Sequence, residues 1–215
     1  MDCRGILAAP SFETVETKVE LEREFTDEEV SYLERFGELA PSVLERMATH
    51  APRNALIVRQ YKQHAAKYGP TVVFAADILH AQTLATEFKA AGIDADYVDY
   101  SRPDAQTVIE SYRIQRGPRV IVNVEMLTEG FDAPHTRTVM IARPTRSEGL
   151  LAQMVGRALR GKRSRGNETA YLVTFVDTWK QFDVLDTEYV VCSAACRTPG
   201  TLGSKPTTTT SAVGS

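Results

Sequence analysis

Four short runs of apolar and β-branched residues constrain this chain more than any other feature: "TVVFAA" from Thr71, "RVIVNVEM" from Arg119, "TRTVMIAR" from Thr136 and "TAYLVTFVD" from Thr169. They are close to continuously apolar rather than alternating. Strands of that kind are covered on both faces, as in a parallel sheet between two layers of helices. The intervening stretches carry helical patterns: "DILHAQTLATEFKAAG", capped by Asp77 and closed by Gly92, then "PDAQTVIESYRIQRG" and "TRSEGLLAQMVGRALRG". A further strand, "DADYVDY", lies between the first two helices. Strand–helix repetition with short connections specifies a doubly wound α/β fold, with a mainly parallel sheet and helices on both faces.

A chain of 215 residues holds one such domain with additions. The α/β pattern is expected over residues 51–190. Residues 1–50 read as a connector of extended and helical segments. "GILAAPSFETVETKVEL" is extended, and Thr26-x-x-Glu29 forms a capping box opening the helix "DEEVSYLERFGEL". "PSVLERMATH" and "RNALIVRQYKQHAAKYG" continue helically, the latter up to the stop signal Gly69-Pro70. "TWKQFDVLD" reads as a helix or turn, and residues 191–215 have almost no core-forming residues and are expected to be disordered.

Composition removes several classes of function. A net charge of −3 does not describe a polycation that adheres to nucleic acid as a whole, yet Arg157, Arg160, Lys162, Arg163 and Arg165 crowd together. No apolar run reaches the length of a membrane span, and no secretory signal is expected from the first residues. Three cysteines (Cys3, Cys192 and Cys196) without framework spacing favour a reducing, cytoplasmic setting, and no metal site is expected.

Residues 153–162, "QMVGRALRGK", admit two readings. Gly156-x-x-x-x-Gly161-Lys162 approaches a phosphate-cradling loop, but such a loop follows a strand and opens a helix, whereas here it closes one. The next residue is Arg163 rather than Ser or Thr. In the other reading Gln153, Gly156, Arg157 and Arg160 share one stripe of a helix, and two guanidiniums project together. Paired planar cations suit a phosphate that carries developing charge, although a solvated surface pair has the same spacing. Upstream, "VNVEMLTEGFDAP" puts Thr128, Gly130 and Asp132 just past a strand's carboxyl end, where ligands of parallel sheets bind. "DEEV" imitates an acidic magnesium motif, but its acids open a helix rather than end an apolar strand.

Taken together, "TVVFAADILHAQTLATEF", "VIVNVEMLTEGFDAP" and "ARPTRSEGLLAQMVGRALRG" resemble motifs IV, V and VI of superfamily 2 helicases, in order and at family-like spacing. The likeness covers roughly residues 50 to 180, the second RecA-like lobe. The Gln-x-x-Gly-Arg form is more similar to the branch of excision-repair helicases and type I and III restriction translocases than to DEAD-box proteins. The resemblance implies that Arg157 and Arg160 act as arginine fingers on ATP and that Gln153 bridges nucleotide and nucleic acid. It implies that Gly130 and Asp132 lie near ribose and phosphates, and that Thr128 contacts the nucleic-acid backbone. Ala76 and Asp77, with His80, correspond to motif IV, although His80 reads equally as a solvated helix residue. Many relatives carry an arginine early in the helix that here is "PDAQTVIESY"; Arg102 is the candidate substitute.

The chain shows no valid phosphate loop and no strand-ended Asp-Glu pair. The resemblance therefore implies that ATP and Mg2+ are held mainly by a first lobe bearing the Walker A and B motifs, and that this chain alone does not hydrolyse ATP. The implied polymer is double-stranded DNA. Two other readings are a non-catalytic helicase-like scaffold and a self-sufficient nucleotide-binding protein built on Gly156–Lys162.

Overall fold

The computed structural model describes residues 9–20, 26–36, 39–114, 119–124, 133, 135–143 and 169–178. Within them β1 (Ala9–Glu20), β2 (Thr71–Phe74), β3 (Ala95–Val98), β4 (Val120–Asn123), β5 (Thr138–Ile141) and β6 (Thr169–Thr178) form one sheet in the order β1-β6-β5-β2-β4-β3. Every ladder is parallel. The helices are α1 (Asp27–Phe36), α2 (Pro41–Ala48), α3 (Ala51–Gln63), α4 (Ala65–Tyr68), α5 (Ile78–Ala90) and α6 (Ala105–Ile114). The expected doubly wound α/β architecture is present, and its topology is that of a RecA-like lobe.

Period-two geometry splits each strand between two cores. Val72 and Phe74 of β2 join Ile121, Val139, Ile141 and the α6 residues Val108, Ile109 and Tyr112. Val73 and Ala75 join Val122, Met140, Val173 and the inward faces of α3 and α5. Both faces are thus covered, which is why these strands read as unbroken apolar runs. Phe88 of α5 meets Tyr61 of α3 edge-on at 5.7 Å, and both are buried; burying an aromatic of this size contributes roughly 1.5–3 kcal/mol. α5 carries the chain from β2 past β4 to β3, and α6 returns it one place on the opposite face. Right-handed crossovers require that change of face when the winding direction reverses.

Local signals hold where the bonds are local. Thr26 N–H donates to Glu29 (3.1 Å) and Glu29 N–H to the Thr26 hydroxyl (3.3 Å), so the capping box is formed. Gly92 closes α5 at φ +80, a conformation that L side chains rarely adopt. One expectation is corrected. The stretch from Arg53 to Gly69 is not a single helix, because it breaks at His64 between α3 and α4. His64 Nδ1 lies 3.0 Å from the Gln60 carbonyl, and the His64 N–H bonds instead to Tyr61, tightening the turn. The ring takes the acceptor that the next helical bond needs.

Residues 9–20, read from sequence as connector, pair with β6 as the sheet's edge strand, with Ala9 opposite Thr169 and Glu16 opposite Val176. Glu13 of this strand accepts from the Tyr68 hydroxyl (2.6 Å) and pairs with Lys67 (2.7 Å). α1 and α2 build a satellite core of Leu33, Leu39, Ala40, Val43 and Met47. The helix expected over 145–161, the "TWKQFDVLD" element beyond Thr178 and the tail from residue 191 lie outside the described residues, as do Cys3, Cys192 and Cys196.

Candidate functional site

β5, β2 and β4 are neighbours, and their carboxyl ends lie level: Phe74 is in register with Asn123 on one side and with Ile141 on the other. The segments that follow these strands are the three singled out from sequence. The stretch containing Ala76, Asp77 and His80 follows β2, the Thr128–Asp132 stretch follows β4, and the stretch containing Gln153, Arg157 and Arg160 follows β5. Residues more than 60 positions apart in sequence thus set out from one short edge, where ligands of open parallel sheets bind. Thr128, Gly130, Asp132, Gln153, Arg157 and Arg160 themselves, and the Gly156–Lys162 loop, lie outside the described residues.

The β2–α5 junction is described in full. Asp77 is extended (φ −149, ψ −178) and caps α5, its carboxylate accepting from the His80 N–H at 2.7 Å. Ala76 is buried, and its N–H donates to His80 Nδ1 at 3.1 Å. Both predicted contact residues thus use polar groups inside the protein. Sequence left His80 open as a solvated residue; this is corrected, since the ring is fully buried and its Nε2 lies 3.1 Å from Asn54 Oδ1. Burial, reinforced by the positive charge of nearby Arg53, holds the His80 pKa at about 3, so the ring is neutral.

Arg102 stands at the end of β3, one strand beyond the three. Its Nε and Nη2 donate to Asp104 (2.6 and 3.0 Å), and its Nη1 donates to Asp96 (2.7 Å) and to the Tyr97 carbonyl (2.6 Å). The guanidinium also lies over the Tyr97 ring at 4.7 Å. Bonds from Asp104 and Asp96 raise its pKa further, so its charge is permanent but locally neutralised. Beside it the Asp99 carboxylate accepts from the N–H and hydroxyl of Ser101, leaving the ring of Tyr100 exposed at this edge.

Sequence reasoning missed a second buried group. Arg53 of α3 donates from Nε to both oxygens of Asp177 (2.9 and 3.0 Å) with both side chains inaccessible, and Thr17 of β1 donates to the same carboxylate at 2.6 Å. An arginine in a helical pattern reads as solvated; the available signal was Asp177 ending the apolar run "YLVTFVD". Asp77, Asp99 and Asp177, carboxylates along this edge among the described residues, all accept from protein donors. Among the described residues no group of three or more His, Cys, Asp or Glu could hold a metal ion. No helix among them is long and apolar enough to cross a membrane.

The six-stranded parallel sheet is that of a RecA-like lobe. The chain belongs to the helicase conserved C-terminal domain family, whose model matches residues 40–162, and is a superfamily 2 member. IRC3 of Saccharomyces cerevisiae, which carries an ATP-dependent helicase name, is 30% identical over 164 residues, covering 74% of this chain and 23% of that protein. The EcoKI type I restriction endonuclease subunit of Escherichia coli K12 is 28% identical over 130 residues, covering 54% of this chain and 11% of the subunit. In fold, a fragment assigned as an HsdR subunit of a type I restriction enzyme from Vibrio vulnificus YJ016 matches with a TM-score of 0.58 at 18% identity, covering 80% of this chain and 32% of that one. The chain spans less than a third of the length of the curated relatives it matches.

Proposed function

We propose that this chain is the second lobe of an ATP-driven superfamily 2 DNA helicase or translocase, working in the cytoplasm. The observation that carries the reading is the level carboxyl ends of β2, β4 and β5, the strands that precede the stretches resembling motifs IV, V and VI. Arg157 and Arg160 then meet the γ-phosphate of an ATP that a first lobe presents with Mg2+. Paired guanidiniums can neutralise charge spread over the transferring phosphoryl oxygens, an effect worth roughly 10³ to 10⁵ in rate. Gly130 and Asp132 approach ribose and phosphates, Gln153 links nucleotide and polymer, and Thr128 contacts the polymer backbone. Ala76 and Asp77 line the track by shape, and Arg102, committed to Asp96 and Asp104, supports the adjoining loop.

Backbone contacts of this kind give weakly sequence-dependent, salt-sensitive binding to double-stranded DNA. ATP bridging two lobes gives closure, and hydrolysis releases it. The helicase C-terminal family match and the likeness to IRC3 support ATP use and pairing with a first lobe. The test is reconstitution: this chain alone hydrolyses no ATP, and adding a separately produced first lobe restores DNA-stimulated hydrolysis. Hydrolysis by residues 1–215 alone that is lost with Lys162→Ala would instead favour a self-sufficient nucleotide site. A lobe pair that stays inactive would favour a scaffold.

A further inference from the structure

Behind the β2–α5 junction the polar groups form one directed chain. Ala76 N–H donates to His80 Nδ1 (3.1 Å), His80 Nε2 meets Asn54 Oδ1 (3.1 Å), and Asn54 Nδ2 donates to the Ala48 carbonyl (2.9 Å). A single proton assignment satisfies every member. A backbone N–H can only donate, so Nδ1 accepts, and the ring hydrogen sits on Nε2 and goes to Asn54. The Asn54 amide hydrogen then goes to the carbonyl that ends α2. Ala48, Asn54 and His80 are fully buried, so each group depends on this chain of bonds.

The network ends on one peptide, the link between Ala75 and Ala76, which joins the motif IV strand to its helix. A trans peptide points its N–H and C=O in opposite directions. His80 draws the Ala76 N–H inward, so the Ala75 carbonyl is turned away from the ring. An apolar core could pack α2, α3 and α5 together, but it would not set the direction of that peptide.

We propose that His80 and Asn54 are positioning residues for the polymer-binding edge, holding the Ala75–Ala76 peptide in the one orientation that the backbone track uses. The inference rests on the proposed helicase reading. His80→Phe and Asn54→Leu break the chain of bonds while keeping most of the volume. The side-chain oxygen of His80→Gln can still accept from Ala76. Each variant of the 215-residue chain is titrated with a fluorescent duplex oligonucleotide, below its melting temperature, and the exchange of the Ala76 amide is followed by NMR. His80→Phe and Asn54→Leu weaken binding about tenfold and speed Ala76 exchange, whereas His80→Gln stays within about twofold of the parent. Should His80→Phe not fold, Asn54→Leu against His80→Gln decides in the same way. Folded His80→Phe or Asn54→Leu binding like the parent, or His80→Gln as weak as its partners, overturns the inference and leaves the helicase reading intact. A parent chain that binds no duplex removes the polymer-binding edge, and the inference with it.

Discussion

Arg53 and Asn54 are consecutive on α3, both are fully buried, and each anchors a polar cluster, yet the two clusters are built differently. The Asn54 cluster is neutral and its chain from Ala76 to Ala48 is closed. The Arg53 cluster is ionic: Nε serves Asp177, but Nη1 and Nη2 have no hydrogen-bond partner among the described residues. A closed neutral network fixes geometry at little risk. A buried ion pair gains Coulomb energy against a desolvation penalty of similar size, and its unmatched donors add to that penalty. The ionic cluster clamps the edge strand β1 to β6 through Thr17 and Asp177, while the neutral one shapes the β2–α5 junction.

The contrast is most easily broken at Asp177. Asp177→Ala leaves a buried guanidinium uncompensated and is expected to cost about 3–5 kcal/mol of stability in urea unfolding. Arg53→Met combined with Asp177→Leu should recover most of that loss; if the double variant is as unstable as the single one, the pair is a larger net stabiliser than its orphan nitrogens suggest. Asn54→Leu leaves the His80 N–H and the Ala48 carbonyl unsatisfied without stranding a charge. Its loss should be smaller, about 2 kcal/mol, at about 1 kcal/mol for each orphaned group.

pH separates the clusters further. Folded His80 protonates near 3, whereas the unfolded ring takes its proton near 6.5. Between those values the unfolded chain binds more protons, so stability is full above 6.5 and falls as pH drops towards 3, by up to about 1.4 kcal/mol per pH unit. His80→Gln should flatten part of that slope between pH 5 and 6.5. His135, whose pKa burial also lowers, adds a slope of the same sign. Glu29, held at about 2 chiefly by its bond from Arg46, adds a loss of the same sign only below 4.5. Equal slopes in the parent and His80→Gln would show that the ring is not buried as a neutral acceptor. The smallest effect belongs to the local motif: Thr26→Ala opens the capping box and should cost about 1 kcal/mol, read as a shift in the urea midpoint.

Legibility follows the same line between local and distant partners. The Thr26–Glu29 box, the Asp77 cap and the apolar strands were visible because partners within four residues, or a strand's own composition, determine them. That β4, β2 and β5 are neighbours with level ends was not legible, because the sequence places segments past strand ends without giving the order of the strands. What escaped depends on partners far away in sequence: Thr17 and Arg53 converge on Asp177 across 160 and 124 positions. His80 escaped for a related reason. Its helical phase does not reveal that Asn54 and Ala76 stand ready to satisfy both ring nitrogens. Arg102 looked like a free cation because its acids, Asp96 and Asp104, flank it in a pattern common to solvated loops.

The most direct measurement is single-turnover phosphate release by the assembled two-lobe protein on duplex DNA, with Arg157→Ala and Arg160→Ala compared against the parent. Turnover should fall by roughly 10³ or more, while duplex affinity changes little. Turnover that persists in both variants would contradict a lobe whose purpose is to bring two guanidiniums to a nucleotide held across the cleft.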